Sequence, residues 1–181
     1  EPVDGGGGAF PHDDGPSGIM FVGNGDAPNT PAEIVESRYP VRVTRYALNP
    51  ENRGYGKYRG GYGVIRDYEM VEDNITLQTS TENNRNPLWG LAGGGDAGVA
   101  RTILNEGTDR EMVLDDRVTD FGPLMKGDTL SVSTPNGGGW GNPADRELGR
   151  IVADIKSELL DIEQAIAIYN VDRKLLLNKL A

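Results

Sequence analysis

The chain has 181 residues, enough for one domain with its own core or for one domain with an extension. Its net charge of −10 argues against nucleic acid as a partner, because a surface that binds a phosphate backbone is basic. Cysteine is absent and histidine occurs once, so we expect no metal on this chain. Without a long apolar run or a signal pattern, we expect no membrane contact and a cytoplasmic location.

Residues 1–38 are rich in glycine and proline and show almost no hydrophobic periodicity. Such a segment buries too little apolar surface to fold alone, so we expect an extended segment packed on partner chains. Within it, the apolar stretch GIMFV at 18–22 is predicted to add to a sheet as a strand. The first residue is Glu rather than Met, which we interpret as the mark of a processed or partial chain.

Residues 39–143 are predicted to form a β domain. Short segments with period-two alternation are bounded by Gly, Asn or Asp, and this spacing is typical of antiparallel sheets. The fold class is therefore predicted as mainly β, an antiparallel β-sandwich or a barrel-like domain with C-terminal α-helices. The predicted strands are 40–48, 62–71, 74–81, 99–107, 110–114 and 128–135.

Residues 144–181 are predicted to be helical. Apolar residues recur at intervals of three and four from Leu148 to Ile166, which predicts one helix over about 144–168. A second, short helix is predicted to follow, capped by Asn170 or Asp172. The apolar stripe is longer than one small sheet face needs, so we expect part of it to meet another polypeptide.

Four glycine clusters resemble phosphate-binding loops only superficially. None ends in the Gly-Lys-Ser or Gly-Lys-Thr that a Walker loop needs, and the one cluster between a strand and a helix is followed by Pro143. We interpret the glycines as structural, needed for positive φ or close backbone approach. The glycines assigned to these structural loops are Gly60, Gly61, Gly93, Gly94, Gly137, Gly138 and Gly139.

Five charged or titratable residues are candidates for binding a ligand or a partner. His12 with Asp13 and Asp14 has the chemistry of part of a metal site or of an acid–base pair, although a solvated turn has the same composition. Arg59 and Arg85 stand beside glycines and aromatics, where an arginine binds a carboxylate or phosphate, or ties a loop to carbonyls or to acids of a neighbouring subunit. No catalytic residue is assigned.

Five stretches in order resemble the hydantoinase B family, which includes the B half of 5-oxoprolinase and the large subunits of acetone and acetophenone carboxylases. They cover residues 5–147 and resemble the C-terminal part of that family. The stretches are GGGGAFPHDDGPSG, NTPAEIVESRYPVRVTRY, YGKYRGGYGVIRDYE, NPLWGLAGGGDAG and LMKGDTLSVSTPNGGGWGNPADR. Two others, ENRGYG and KSELLDIEQ, depart from the family pattern and leave the substrate open.

The resemblance implies a heteromeric, ATP-dependent complex that activates a substrate carbonyl by phosphorylation. The partners it implies are a hydantoinase A-type subunit, which holds ATP and Mg, and the N-terminal part of the B-type subunit; this chain itself would bind neither ATP nor Mg. The implied reaction is carboxylation of a ketone of the acetone or acetophenone type, or ring opening. The alternatives are a cyclic amidase subunit (hydantoinase or 5-oxoprolinase) and a non-catalytic assembly module. A free carbohydrate-binding sandwich is disfavoured because an aromatic strip is lacking.

Overall fold

The computed structural model describes residues 3–20, 29–51, 53–114 and 118–180. Within these residues, seven strands form two antiparallel sheets. The strands are β1 Val41–Leu48, β2 Val64–Met70, β3 Ile75–Ser80, β4 Arg101–Leu104, β5 Met112–Val113, β6 Val118–Leu124 and β7 Thr129–Ser133. One sheet has the order β1-β2-β7-β4-β5, and β3 pairs with β6 in a two-stranded ribbon.

The β core lies between the five-stranded sheet and the ribbon. Alternate residues of the strands point to this shared side, as expected for a sheet with one buried face. The fully buried members come from both sheets and from the residue after β5: Met70, Leu104, Leu114, Leu124 and Leu130. The ribbon also packs Ile75, Leu77 and Phe121 against them.

The prediction of a mainly antiparallel β region followed by helices is confirmed. The barrel-like alternative is wrong for the residues that the structure describes, because the edge strands β1 and β5 do not pair with each other. The five-stranded sheet is therefore open.

The sequence analysis missed strand β6, because its Gly122-Pro123 pair is typical of a turn. The register of β3 and β6 shifts between Ile75 and Leu77, where the pair Gly122-Pro123 is accommodated opposite Thr76. A proline is tolerated in a strand at such an irregularity, since it has no N–H to contribute to the ladder.

A short helix, α1 Ala32–Arg38, lies within the segment that was predicted to be extended. Only Val35 of this helix is buried. A helix with one buried position needs no repeating apolar face, and for this reason its sequence shows no helical periodicity. Glu33 in its first turn and Arg38 in its last turn suit the helix dipole.

The C-terminal region contains three helices, α2 Leu148–Lys156, α3 Ile162–Tyr169 and α4 Arg173–Leu180, preceded by a 3-10 helix, Pro143–Asp145. The prediction of one continuous helix over 144–168 is wrong, because the chain turns at Glu158 with φ of 57°. Asp161 then starts α3 with a capping box, accepting a hydrogen bond from the Gln164 backbone N–H at 2.7 Å. Of the two caps considered for the last helix, Asp172 is the one used.

The apolar stripe of these helices packs within the helical region. Its buried centre combines side chains from all three helices and from the turn between α2 and α3: Ile151, Leu160, Ala165, Tyr169 and Leu176. Leu148, Val152, Ile155, Ile162 and Ile166 pack around that centre. Contact of the stripe with another polypeptide stays a prediction.

Residues 3–20 lie along the chain's own loops. Ile19 forms one antiparallel bridge with Gly5, while Phe21 and Val22 of the predicted strand lie outside the described residues. The Gly15 and Gly18 N–H groups donate to the Arg59 and Tyr62 carbonyls, each at 2.8 Å. The packing of residues 1–38 on partner chains stays a prediction.

Within the described ranges, no helix combines the length and the apolar character needed to cross a lipid bilayer.

Candidate functional site

The site is built on a layer of glycine-rich segments. Residues 5–8, 54–61, 90–95 and 136–141 run beside one another and are joined by backbone hydrogen bonds. Gly61 is at the centre of this layer, since its N–H donates to the Gly7 carbonyl at 2.8 Å and its carbonyl accepts from the Gly137 N–H at 2.9 Å. The glycine clusters thus bind one another through their backbones.

Close approach explains most of the glycines assigned to structural loops. A Cβ at Gly137 would overlap the Gly7 carbonyl, and one at Gly60 would overlap Gly137. The same holds for Gly61, Gly94, Gly138 and Gly139, each of which faces the backbone of a neighbouring segment. Gly93 differs, because it has φ of 91° and no such contact.

A cluster of six ionised side chains lies against this layer. It joins the N-terminal segment, the loop before β2 and the start of the helical region, so three distant parts of the sequence meet there. The members of this Arg–Asp cluster are Asp13, Asp14, Arg59, Arg146, Arg150 and Asp154.

Arg146 is the centre of the cluster, with a side chain only 1% exposed. Its Nη1 and Nη2 donate to the two carboxylate oxygens of Asp14 at 2.7 and 2.9 Å. Nη2 also donates to Asp154 Oδ2 at 2.9 Å. Such forked, charge-assisted bonds fix both carboxylates in position.

Arg59 completes the inner part of the cluster. Its Nε donates to the two oxygens of Asp154 at 3.1 and 3.3 Å, and its guanidinium carbon lies 4.4 Å from the centre of the Tyr62 ring. Its backbone N–H donates to Asp14 Oδ1 at 2.8 Å. An acid of a ligand or of another subunit was one expectation for Arg59; the carboxylate it contacts belongs to its own chain.

Arg150 forms the outer edge of the cluster. Its Nη1 lies 2.9 Å from Asp13 Oδ1 and 3.2 Å from Asp14 Oδ2. Arg146, Arg150 and Asp154 are spaced by four residues, so they follow one side of the chain as it enters and runs along α2. The sequence analysis missed these three residues. Their four-residue spacing was the signal that could have identified them.

The electrostatics favour the ionised forms of Asp13, Asp14 and Arg146. Burial opposes the charged form of Asp14, but the hydrogen bonds and charge of Arg146 outweigh it and hold the pKa of Asp14 below its ordinary value. A hydrogen bond from Arg150, followed by one from the Asp14 backbone N–H, lowers the pKa of Asp13. Burial likewise opposes the charge of Arg146, yet Asp14 raises the pKa of that guanidinium.

The charges of the cluster cancel, because three arginines face three aspartates. Each member is held by an oppositely charged partner on this chain, so the cluster ties three distant segments together. Within the described ranges, no three His, Cys, Asp or Glu side chains are grouped to hold a metal ion.

Two of the five candidates are not members of the cluster. His12 is exposed and stacks on Phe10, with ring centroids 6.1 Å apart. Arg85 lies exposed in the loop between β3 and β4. The structure therefore brings together Asp13, Asp14 and Arg59 of the five.

Arg53 is a second buried arginine that the sequence analysis did not single out. Its Nη1 donates to Tyr62 Oη at 3.2 Å and to the Leu159 carbonyl, and its Nη2 donates to Gln164 Oε1 at 3.1 Å. These bonds tie the glycine layer to the α2–α3 turn. Arg53 lies in ENRGYG, one of the two stretches that depart from the family pattern.

Three cavities within the described ranges are not lined by the Arg–Asp cluster. The largest of them, of about 540 Å³, opens beside Arg53 and the α2–α3 turn. One of about 490 Å³ opens between the ribbon and the five-stranded sheet, and its lining includes Val35, Arg38, Leu77 and Val132. A small one of about 100 Å³ lies on the other face of the sheet, beside Arg45 and Arg101.

Comparison with known proteins identifies the family. The family model for hydantoinase B/oxoprolinase matches residues 1–143. The B subunit of a putative D-/L-hydantoinase from Pseudomonas sp. (strain NS671) is 31% identical over 143 residues, which cover 79% of this chain and 24% of that protein. This chain thus spans about a quarter of the length of that relative.

Two solved structures share the fold. The ATP-dependent caprolactamase from Pseudomonas jessenii matches 94% of this chain and 30% of its own, with a TM-score of 0.74 and 23% identity. A nucleotide-free acetone carboxylase matches 94% of this chain and 26% of its own, with a TM-score of 0.73 and 20% identity. With the sequence match over residues 1–143, these findings show that the chain belongs to the hydantoinase B/oxoprolinase family.

Proposed function

We propose that this chain is the C-terminal part of a B-type subunit in a heteromeric, ATP-dependent enzyme complex that opens a cyclic amide. The observation that carries the proposal is the family match over residues 1–143. It is supported by a relative named as a hydantoinase subunit, because a hydantoin is a cyclic amide.

Within such a complex, we assign this chain an architectural role. The Arg–Asp cluster is neutral and pairs its charges on its own chain, and the glycine segments form backbone hydrogen bonds with one another. ATP and Mg belong to an A-type partner subunit in this proposal, and the reacting groups belong to the other parts of the complex. The chain alone should therefore hydrolyse no ATP.

Carboxylation of a ketone is the second candidate reaction. The acetone carboxylase fold matches this chain as well as the caprolactamase fold does, with TM-scores of 0.73 and 0.74. At identities of 20% and 23%, both likenesses concern the fold, so the choice between the two reactions rests on the named hydantoinase relative.

The test is to purify the complex that assembles with a tagged copy of this chain and to measure ADP release with each substrate. The panel contains hydantoin, 5-oxoproline and caprolactam, and also acetone and acetophenone with bicarbonate. ADP release coupled to ring opening supports the cyclic amidase. ADP release that requires a ketone and bicarbonate selects the second candidate, and a complex without any substrate-dependent ADP release contradicts both.

A further inference from the structure

The cavity of about 490 Å³ between the five-stranded sheet and the β3–β6 ribbon is called the ribbon cavity. Its volume lies within the range of about 300–1,000 Å³ that is usual for small-molecule sites. Strand β3 forms one wall with its half-buried positions, Ile75, Leu77 and Thr79. The opposite wall is the core face of the sheet, which contributes Val41, Tyr68, Met70, Leu130 and Val132. Both walls are therefore largely apolar.

Helix α1 borders one side of the ribbon cavity. Val35 and Arg38 are three residues apart on this helix, so they lie on the same side of it, and both line the cavity. Val35 is buried, whereas Arg38 is exposed. The guanidinium of Arg38 therefore lies at the mouth of the cavity, where solvent meets the apolar interior.

Arg38 is the one charged side chain among the described residues that line the ribbon cavity, and the lining contains no aspartate or glutamate. Within the described ranges, Arg38 also forms no ion pair. The arginines of β1 differ, because the Arg42 guanidinium lies 3.3 Å from Glu69 Oε2 and that of Arg45 lies 3.8 Å from Asp67 Oδ2. The mouth of the cavity thus offers a cation that no acid of the described chain neutralises.

The other polar side chains of the lining are neutral. Beyond the end of β3, Thr81 Oγ1 and Thr102 Oγ1 are 3.2 Å apart, so these two hydroxyls are hydrogen-bonded to each other. What the cavity lacks is apolar surface between its walls and an acceptor for Arg38. A guanidinium binds a carboxylate well, because its N–H groups match the two carboxylate oxygens. A single arginine balances a single negative charge.

We propose that the ribbon cavity binds a small aliphatic monocarboxylate, with the carboxylate on Arg38 and the apolar body between Leu77 and Val132. Burial of the apolar body supplies most of the affinity, and Arg38 fixes its orientation and selects for charge. This site goes beyond the proposed function and does not depend on it. None of its lining residues belongs to the Arg–Asp cluster or to the four segments of the glycine layer.

The first experiment separates the charge from the apolar body. The probe is octanoate, and the control ligand is 1-octanol, which has the same alkyl length without the charge. Calorimetry with the 181-residue chain should show that octanoate binds about 10-fold more tightly than octanol. Arg38→Gln should weaken octanoate binding by about the same factor and leave octanol binding unchanged. The matched control is Arg42→Gln, outside the lining, which should change neither affinity.

Methyl resonances of the labelled chain locate the bound probe. Octanoate should shift the methyl signals of Val35, Leu77 and Val132, which line the ribbon cavity. It should leave those of Ile151 and Leu176 in place, because these two residues are buried in the helical region.

The same titration is then repeated with the complex that assembles with a tagged copy of the chain. Octanoate should bind to this complex about as tightly as to the free chain. Binding to the free chain but not to the complex would show that another polypeptide fills the cavity, and this outcome overturns the proposal. No binding to the free chain, an affinity that Arg38→Gln leaves unchanged, or shifts confined to the helical methyl groups would overturn it too. These outcomes are separate from the proposed function, since ADP release is measured without octanoate.

Discussion

The β region and the glycine layer bury their interiors in opposite ways. Between the two sheets, aliphatic side chains such as Met70, Leu104 and Leu130 fill the core. In the glycine layer, the glycines have no side chains, so the backbones approach one another and form hydrogen bonds. The first region is stabilised by burial of apolar surface, while the second depends on backbone hydrogen bonds and on the charges that close its edge.

The two regions should therefore differ in the substitutions that they tolerate. An apolar core accommodates the addition or the removal of one methyl group at a modest cost, because its side chains can repack. A layer of backbones cannot accommodate an added methyl group, since a Cβ at Gly137 meets a carbonyl that is itself held by the next segment. The glycine layer is therefore the region in which a single methyl group should matter most.

The largest effect is expected from Gly137→Ala. The added Cβ overlaps the Gly7 carbonyl, so the N-terminal segment or the layer must move, and the free energy of unfolding should fall by at least about 4 kcal/mol. The control is Gly149→Ala in α2, where nothing lies within 4 Å and alanine should stabilise by up to about 1 kcal/mol. Urea denaturation measures both. A Gly137→Ala chain as stable as the wild type would refute the backbone-packing account.

Next in size is Arg146→Ala, which leaves Asp14 and Asp154 without their buried partner. Removing one member of a buried ion pair is costly, and we expect a loss of about 3 kcal/mol in unfolding free energy. The matched control is Arg173→Ala, whose ion pair with Glu163 is exposed and should contribute less than about 1 kcal/mol. Equal losses of unfolding free energy in the two variants would show that the buried cluster stabilises the chain no more than an exposed ion pair does.

Acidification should lower the free energy of unfolding through Asp14. Its pKa in the folded chain lies below the ordinary value of 3.8, so its stabilising contribution is present above that value and is lost as the pH falls through the lower, folded pKa. Stability measured between about pH 5 and pH 2 should fall less steeply in Asp14→Asn than in the wild type. The same substitution in an Arg146→Ala background should change the slope of stability against pH less, because the partner of Asp14 is already removed. Parallel slopes in wild type and Asp14→Asn would contradict this assignment.

The smallest effect concerns the helical region alone. Asp161→Ala removes the acceptor of the capping box at the start of α3 and should cost about 1 kcal/mol. Asp161→Asn keeps a capping oxygen and should cost only a few tenths. Thermal melting compares the two, and a loss as large in the asparagine variant would point to the charge of Asp161 rather than to its cap.

Local patterns in the sequence predicted much of the β region. Period-two alternation located β1, β2, β3, β4, β5 and β7 to within a few residues. The alternation is clearest in β3, where every second residue is exposed. Strand β6 escaped this pattern, since Gly122 and Pro123 look like a turn until β3 is seen beside them. The break at Glu158 escaped too, although the Asp161 to Gln164 spacing that starts α3 was visible in the sequence.

Local chemistry, by itself, determined the antiparallel β region, the helices after Pro143 and the need for glycine in four loops, because strand alternation, helical periodicity and the absence of a Cβ are local properties. The ordered motifs also determined the family. Only the tertiary structure decided which groups meet. Arg59 and Asp154 are 95 positions apart, and Asp14 and Arg146 are 132 apart, so no local rule pairs them. Likewise, the exposure of Trp89 depends on the backbone that surrounds it, which the sequence around residue 89 does not specify.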